Sequence, residues 1–299
     1  MFKRMLVALD GSKTAEAVLP YARLLAGDLR IPVELFTVVD VVDIGSQLHS
    51  EQYMDLDALI KNRVLQHEQY LKGVAQSFQS ENVSCSVQRG VTAGTIINRA
   101  AGDKGTLIAM ATHGRSGFRR WLLGSIAEKV LRAAKNPVLL VRAREKAVTD
   151  GKVALNSVMV PLDGSDLAET ILPAVVDLTK AINLTVRIMR CYSVADMVAT
   201  YEDYGVGLDA LRTRSKNEAT RYLDAKSEQL KKEGLAEVAS FTSEGEPAEA
   251  IIEAAKQAPN SLIAMCTHGR SGVSRWMLGS ITEKVVRHSE HPVLVVHAT

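Results

Sequence analysis

The chain is written twice. MLVALDGSKTAEAVLPYA at 5–22 aligns with VMVPLDGSDLAETILPAV at 158–175, an offset of 153 residues that sets Asp10 opposite Asp163 and Pro20 opposite Pro173. Further along the offset is 155: Gly90 matches Gly245, Gly114 matches Gly269, Gly124 matches Gly279 and Pro137 matches Pro292. Across 106–141 against 261–296, 24 of 36 positions are identical. Each half is therefore one copy of a structural unit, and a period of about 150 residues suits a duplicated domain and is too long for a solenoid. The change of offset falls in 51–80 and 205–233, the least alike segments, which carry the second helix of each copy. The charged stretch 143–156 reads as a linker, giving domains at 1–145 and 154–299.

Within the first copy, apolar runs near 4–9, 32–39, 83–89, 106–111 and 137–142 read as strands with helical patterns between them. Such alternation implies an α/β fold, a doubly wound parallel sheet flanked by helices in each copy. After Asp10, the residues Ala15, Val18, Leu19, Ala22, Leu25 and Ala26 form one helical stripe suited to packing on a sheet. Pro20 and Pro173 fall inside this helix and are expected to kink it, freeing the carbonyl of Glu16 or Glu169.

Composition narrows the function classes. The net charge of +2 comes from nearly balanced acids and bases spread along the chain, without the basic block of a nucleic-acid binder. The start, MFKRMLVALDGS, has too few apolar residues for a signal core or a membrane span, so a cytoplasmic protein with no membrane partner is expected. Cys85, Cys191 and Cys266 are odd in number and widely spaced, which reads as reduced core thiols with no metal site.

Sheets of this kind bind ligands beyond the carboxyl ends of their strands, where strand order reverses. Two loops per copy reach that point: Asp10-Gly11-Ser12 (Asp163-Gly164-Ser165) and Thr112-His113-Gly114 (Thr267-His268-Gly269). The second runs on to Gly124-Ser125-Ile126 and Gly279-Ser280-Ile281, where a helix starts. Capping accounts for Ser125 and Glu128, and for Ser280 and Glu283, as a capping box. It leaves unexplained why the glycines recur at one separation in both copies; amides at 124–126 and the Ser125 hydroxyl directed at a phosphate would explain it. Asp10 and Asp163 could cap the next helix, pair with an arginine or accept from a ligand. Ser12 and Ser165 are the better caps by position, which leaves the aspartates for a ligand. Arg115 and Arg270 could meet phosphate or stay solvated. His113 and His268 read as loop-stabilising, and Trp121 and Trp276 as packing residues. No P-loop, dinucleotide-binding glycine pattern or nucleophile elbow is present in the sequence.

These residues resemble the universal stress proteins, in a tandem form covering essentially both halves. The family's signature is Gly, two residues, Gly, nine residues, then Gly and Ser or Thr. It stands here as Ala111-Thr112-His113-Gly114 with Gly124-Ser125, and as Cys266-Thr267-His268-Gly269 with Gly279-Ser280. The resemblance implies a five-stranded parallel sheet in order 3-2-1-4-5 and an adenine nucleotide as ligand: ATP, ADP or AMP, with magnesium on the phosphates. By the same resemblance Asp10 and Asp163 would sit near adenine or ribose, and Val38 and Cys191 would offer backbone to adenine. Gly114, Gly124, Ser125 and Ile126, with Gly269, Gly279, Ser280 and Ile281, would hold ribose and phosphates. It also implies an internal pseudo-dimer through the last strands, or a homodimer. Cys266 in place of a signature glycine makes the second site the expected weaker one. The function so implied is a nucleotide-dependent sensor or signalling protein with at most slow hydrolysis. A nucleotide-free scaffold, or an ATP-using hydrolase or adenylyl-transfer enzyme, are the alternatives.

Overall fold

The computed structural model describes residues 2–41, 56–79, 82–113, 123–143, 151, 153–193, 207–267 and 278–297. The chain divides into two compact units, Met1–Val153 and Ala154–Thr299. The apolar residues within 42–55 and 194–206 lie outside the described residues, as does most of the linker.

The first unit runs β1 (Arg4–Ala8), a short 3-10 turn (Ala15–Val18), α1 (Leu19–Leu29), β2 (Val33–Val39), α2 (Leu56–Ala75), β3 (Val83–Arg89), α3 (Thr92–Ala101), β4 (Thr106–Ala111), α4 (Ser125–Ala133) and β5 (Val138–Val141). Its strands lie in the order β3-β2-β1-β4-β5, every adjacent pair parallel. Val7 lies opposite Leu35 on one side and Ala109 on the other. The order therefore reverses between β1 and β4, as expected for a doubly wound sheet.

The second unit repeats this with β6 (Ser157–Pro161), α5 (Asp166–Glu169), α6 (Leu172–Ile182), β7 (Thr185–Tyr192), α7 (Leu208–Lys232), β8 (Val238–Glu244), α8 (Pro247–Lys256), β9 (Ser261–Cys266), α9 (Ser280–His288) and β10 (Val293–Val296). The order is β8-β7-β6-β9-β10, again parallel. Among the described residues no helix is long and apolar enough to cross a membrane.

Burial follows the pattern in the sequence. Strands β1, β4 and β5 are near-continuous apolar runs, buried along almost their whole length because both faces are covered. The stripe Ala15, Val18, Leu19, Ala22, Leu25 and Ala26 is buried throughout. The prolines do not kink that helix; they restart it. Pro20 and Pro173 stand in the first turns of α1 and α6, after separate short helical segments. A proline lacks the N–H that a first-turn residue would leave without a helical partner, so it costs little there. The Glu16 carbonyl is not freed either, because it accepts from the Leu19 N–H.

All three cysteines are free thiols, but only Cys266 is fully buried. Cys191 is half-buried and Cys85 exposed, which corrects the expectation of three core thiols. Cys85 lies on β3, at one end of the strand order, which among the described residues pairs with β2.

Candidate functional site

Beyond β1 the chain turns through Gly11 at φ 83°, repeated by Gly164 at φ 88°. Only glycine adopts this left-handed region without strain. The turn brings Ser12 back onto Asp10, whose Oδ1 accepts from the Ser12 N–H at 2.9 Å and from its hydroxyl at 2.6 Å. Ser12 Oγ in turn accepts from the Ala15 N–H at 3.1 Å. Asp163 and Ser165 repeat the arrangement at 2.9 and 2.6 Å, and Ser165 caps α5 through the Ala168 N–H at 3.2 Å. The serines are the caps, as expected. Each aspartate uses Oδ1 to hold the serine that caps.

Beyond β4, the Gly124 N–H donates to the Thr112 carbonyl at 2.8 Å, and Gly279 does the same to Thr267. An added Cβ at Gly124 would lie 2.9 Å from Thr112 O, so close backbone approach requires glycine here even though its φ of −60° is ordinary. Gly124 and Gly279 are themselves the N-caps of α4 and α9. The capping box read from the sequence is therefore absent. Ser125 and Ser280 stand one residue too late to cap, and Glu128 and Glu283 pair instead with Arg132 and Arg287, at 3.1 and 2.7 Å. The Gly124 N–H is committed to Thr112, so the amides that open α4 are those of Ser125, Ile126 and Ala127, which precede its first internal bond from Glu128 N–H to Gly124 O.

His113 sits against Thr112, with Nδ1 3.0 Å from Thr112 Oγ1. Burial, and secondarily the Arg142 charge, hold its pKa below the ordinary histidine value.

One cavity of about 600 Å³ gathers these parts in the first unit. Asp10, Val38, Thr112, Gly124, Ser125 and Ile126 all line it, beside an apolar wall that includes Phe36, Ile96 and Met110. The sequence reading missed Asp40, Thr92, Arg63 and His67, which line it too. Asp40 Oδ2 accepts from the Thr92 N–H at 3.2 Å and the Thr92 hydroxyl at 2.9 Å. An acid directly after the second strand and a threonine opening the third helix was the available signal. Arg63 and His67 carried none, since they lie on a long helix. Gly114 and Arg115 fall outside the described residues, as do His268, Gly269, Arg270, Trp121 and Trp276.

The second unit places Asp163, Cys191 and Thr267 at the ends of β6, β7 and β9, and Gly279, Ser280 and Ile281 at the start of α9. Its details differ. Thr170 Oγ1 donates to Cys266 Sγ at 3.2 Å, and Thr282 Oγ1 to the Cys266 carbonyl at 2.8 Å. Burial, then the Glu246 carboxylate, pushes the Cys191 thiol up to about 11. In both units a tyrosine of the long helix lies near the first helical segment. Tyr222 donates to Glu169 Oε1 at 2.8 Å, and Glu169 also pairs with Lys226 at 2.6 Å. Burial, followed by the Glu16 and Asp10 carboxylates, raises the Tyr70 phenol pKa; burial and Glu169 raise that of Tyr222. Among the described residues no cluster of three or more histidine, cysteine or carboxylate side chains could hold a metal ion.

Known proteins share the sequence pattern and the fold. A universal stress protein of Mycolicibacterium smegmatis is 24% identical over 302 residues, covering 98% of this chain and 96% of its own length. The universal stress protein YxiE of Bacillus subtilis is 32% identical over 147 residues, which is 47% of this chain and 98% of that protein. A crystal structure of a universal stress protein from Archaeoglobus fulgidus shares the fold with a TM-score of 0.68, at 22% identity over 99% of this chain and 98% of that one. The model of the universal stress protein family matches residues 1–142 and again 155–297. With two matches that between them span nearly the whole sequence, the chain belongs to the universal stress protein family and carries its domain in tandem.

Proposed function

We propose that the chain binds an adenine nucleotide in the cavity of its first unit and acts in stress response as a nucleotide-dependent sensor or signalling protein. One observation carries this reading: α4 opens with a glycine cap onto the cavity that Asp10 and Val38 also line. A helix start without a side-chain cap presents its first-turn amides and the positive end of its dipole, the natural seat of a phosphate. A volume of about 600 Å³ lies within the roughly 300–1,000 Å³ usual for small-molecule sites. The Ser125 and Ile126 amides with the Ser125 hydroxyl would hold phosphates, Val38 would offer backbone to the base, and Asp10 would face the ribose. Magnesium would arrive on the phosphates. Asp10 Oδ1 already holds Ser12, which suits a binding loop better than proton abstraction, so hydrolysis is at most slow.

The test is isothermal titration of ATP with magnesium into nucleotide-stripped protein, wild type beside Gly114→Val and Gly269→Val. Two events, one lost in each variant, support a site in each unit. One event lost only with Gly114→Val supports the first unit alone. Absence of heat and of thermal stabilisation in the wild type would leave the repeated loops as turns and the protein as a scaffold.

A further inference from the structure

We infer that the amino-terminal end of the first unit's sheet docks an acidic, extended segment of a partner protein. The inference is independent of the nucleotide reading, whose cavity lies at the carboxyl end of the same sheet. Lys3 precedes β1, Arg30 ends α1 just before β2, Lys104 precedes β4 and Lys135 precedes β5. These strands are parallel and lie in the order β2-β1-β4-β5. The four cations therefore stand side by side at one end, in a row three strand spacings long, about 14 Å. All four are exposed, and among the described residues no carboxylate pairs with any of them.

Behind the row, the buried Glu34 receives two guanidinium groups, Arg4 at 3.2 Å and Arg99 at 2.8 Å. One carboxylate between two cations leaves a further positive charge in place. Arg4 is fixed there by Thr106 Oγ1 and the Arg99 carbonyl, each at 2.8 Å. The other carboxylates described at this end are Asp28, on the last turn of α1, and Asp103, which accepts from the Gly105 N–H at 2.8 Å. Together they leave the end with an excess of positive charge.

The fold does not require these cations. A basic residue near a helix carboxyl end complements the helix dipole, yet the second unit builds the same strands and helices without the row. Asn156, Asn183, Pro259 and Glu290 stand there in place of Lys3, Arg30, Lys104 and Lys135, and Ser157 and Ala254 in place of Arg4 and Arg99. Lys256, which ends α8, is paired with Glu253 at 3.1 Å. The row is thus a property of the first unit's surface, and its charge sets the chemistry of what docks. An extended strand advances about 3.3 Å per residue, so four or five residues rich in Asp and Glu span it, their carboxylates meeting lysines that act as mobile point charges. A nucleic acid suits it less well. Single strands stack on aromatic platforms, and among the described residues no aromatic side chain is exposed.

The experiment measures fluorescence anisotropy of a labelled hexaglutamate peptide, and of a labelled oligothymidylate of matching charge, with wild type and two double variants. Lys104→Glu with Lys135→Glu reverses half of the row. Lys61→Glu with Lys72→Glu makes the same change of net charge on the exposed surface of α2. Wild type should bind the peptide, less tightly as salt rises from about 50 to about 300 mM. The Lys104 and Lys135 variant should bind it roughly tenfold or more weakly, and the Lys61 and Lys72 variant within roughly twofold of wild type, both with melting temperatures near that of wild type. No binding by the wild type, or an equal loss in both variants, overturns the inference. Tighter binding of the oligonucleotide than of the peptide overturns it in favour of a nucleic acid, and displacement of the peptide by magnesium ATP would put the peptide in the cavity and overturn it too.

Discussion

Ser12 gives both its backbone N–H and its hydroxyl to one oxygen of Asp10, at 2.9 and 2.6 Å. The same pair of bonds recurs between Ser165 and Asp163 at the same distances. The loop after the first strand is thereby a closed unit: the aspartate fixes the serine, and the serine caps the next helical segment.

Asp10→Ala removes the acceptor for both bonds and should lower stability by about 1–3 kcal/mol, measured by urea unfolding. Asp10→Asn retains an acceptor oxygen and should lose less. Equal losses in the two variants would show that the carboxylate does not order the loop.

Gly124→Ala should cost about 1–3 kcal/mol, because the new methyl meets the Thr112 carbonyl at 2.9 Å and one backbone or the other must shift. Gly27→Ala, in α1 with nothing within 4 Å of the added carbon, should be neutral or stabilising by up to about 1 kcal/mol. Thermal melts of the two variants side by side check the contrast, and a harmless Gly124→Ala would refute the close-approach account.

The folded protein holds the protons of Tyr70 and Tyr222 more tightly than the unfolded chain does, since burial and the neighbouring carboxylates raise both pKa values. A raised folded-state pKa means the unfolded state binds fewer protons at high pH. The associated stability is fully present below the ordinary tyrosine pKa of about 10 and declines as pH rises above it. Unfolding midpoints from pH 8 to 11 should therefore fall more steeply for wild type than for Tyr70→Phe with Tyr222→Phe. Parallel curves would count against the effect.

Thiol labelling at pH 8 should modify Cys85 first, because it is exposed. Cys266 is buried and hydrogen-bonded by Thr170, so it should react at a rate set by unfolding, while half-buried Cys191, which ionises only near 11, should react slowly through its small thiolate fraction. Mass mapping of the labelled peptides checks the order; early labelling of Cys191 would contradict its environment in the fold.

What the sequence determined by itself was the architecture. Repetition at an offset of 153 to 155 residues marked two copies of one domain, and apolar runs alternating with helical stripes marked parallel strands, because burial on both faces leaves its trace in consecutive residues. Residues of the site that sit in glycine-rich turns, such as Asp10, Gly124 and Ser125, were legible for the same local reason. Their tasks were not. That Gly124 caps α4 in place of Ser125 depends on how closely β4 approaches that helix. The pairing of Asp40 with Thr92 spans 52 positions, and that of Tyr222 with Glu169 spans 53. Strand register and the packing of α2, α3 and α7 bring such residues together, and no local pattern encodes a contact between side chains that meet only at the ends of neighbouring strands.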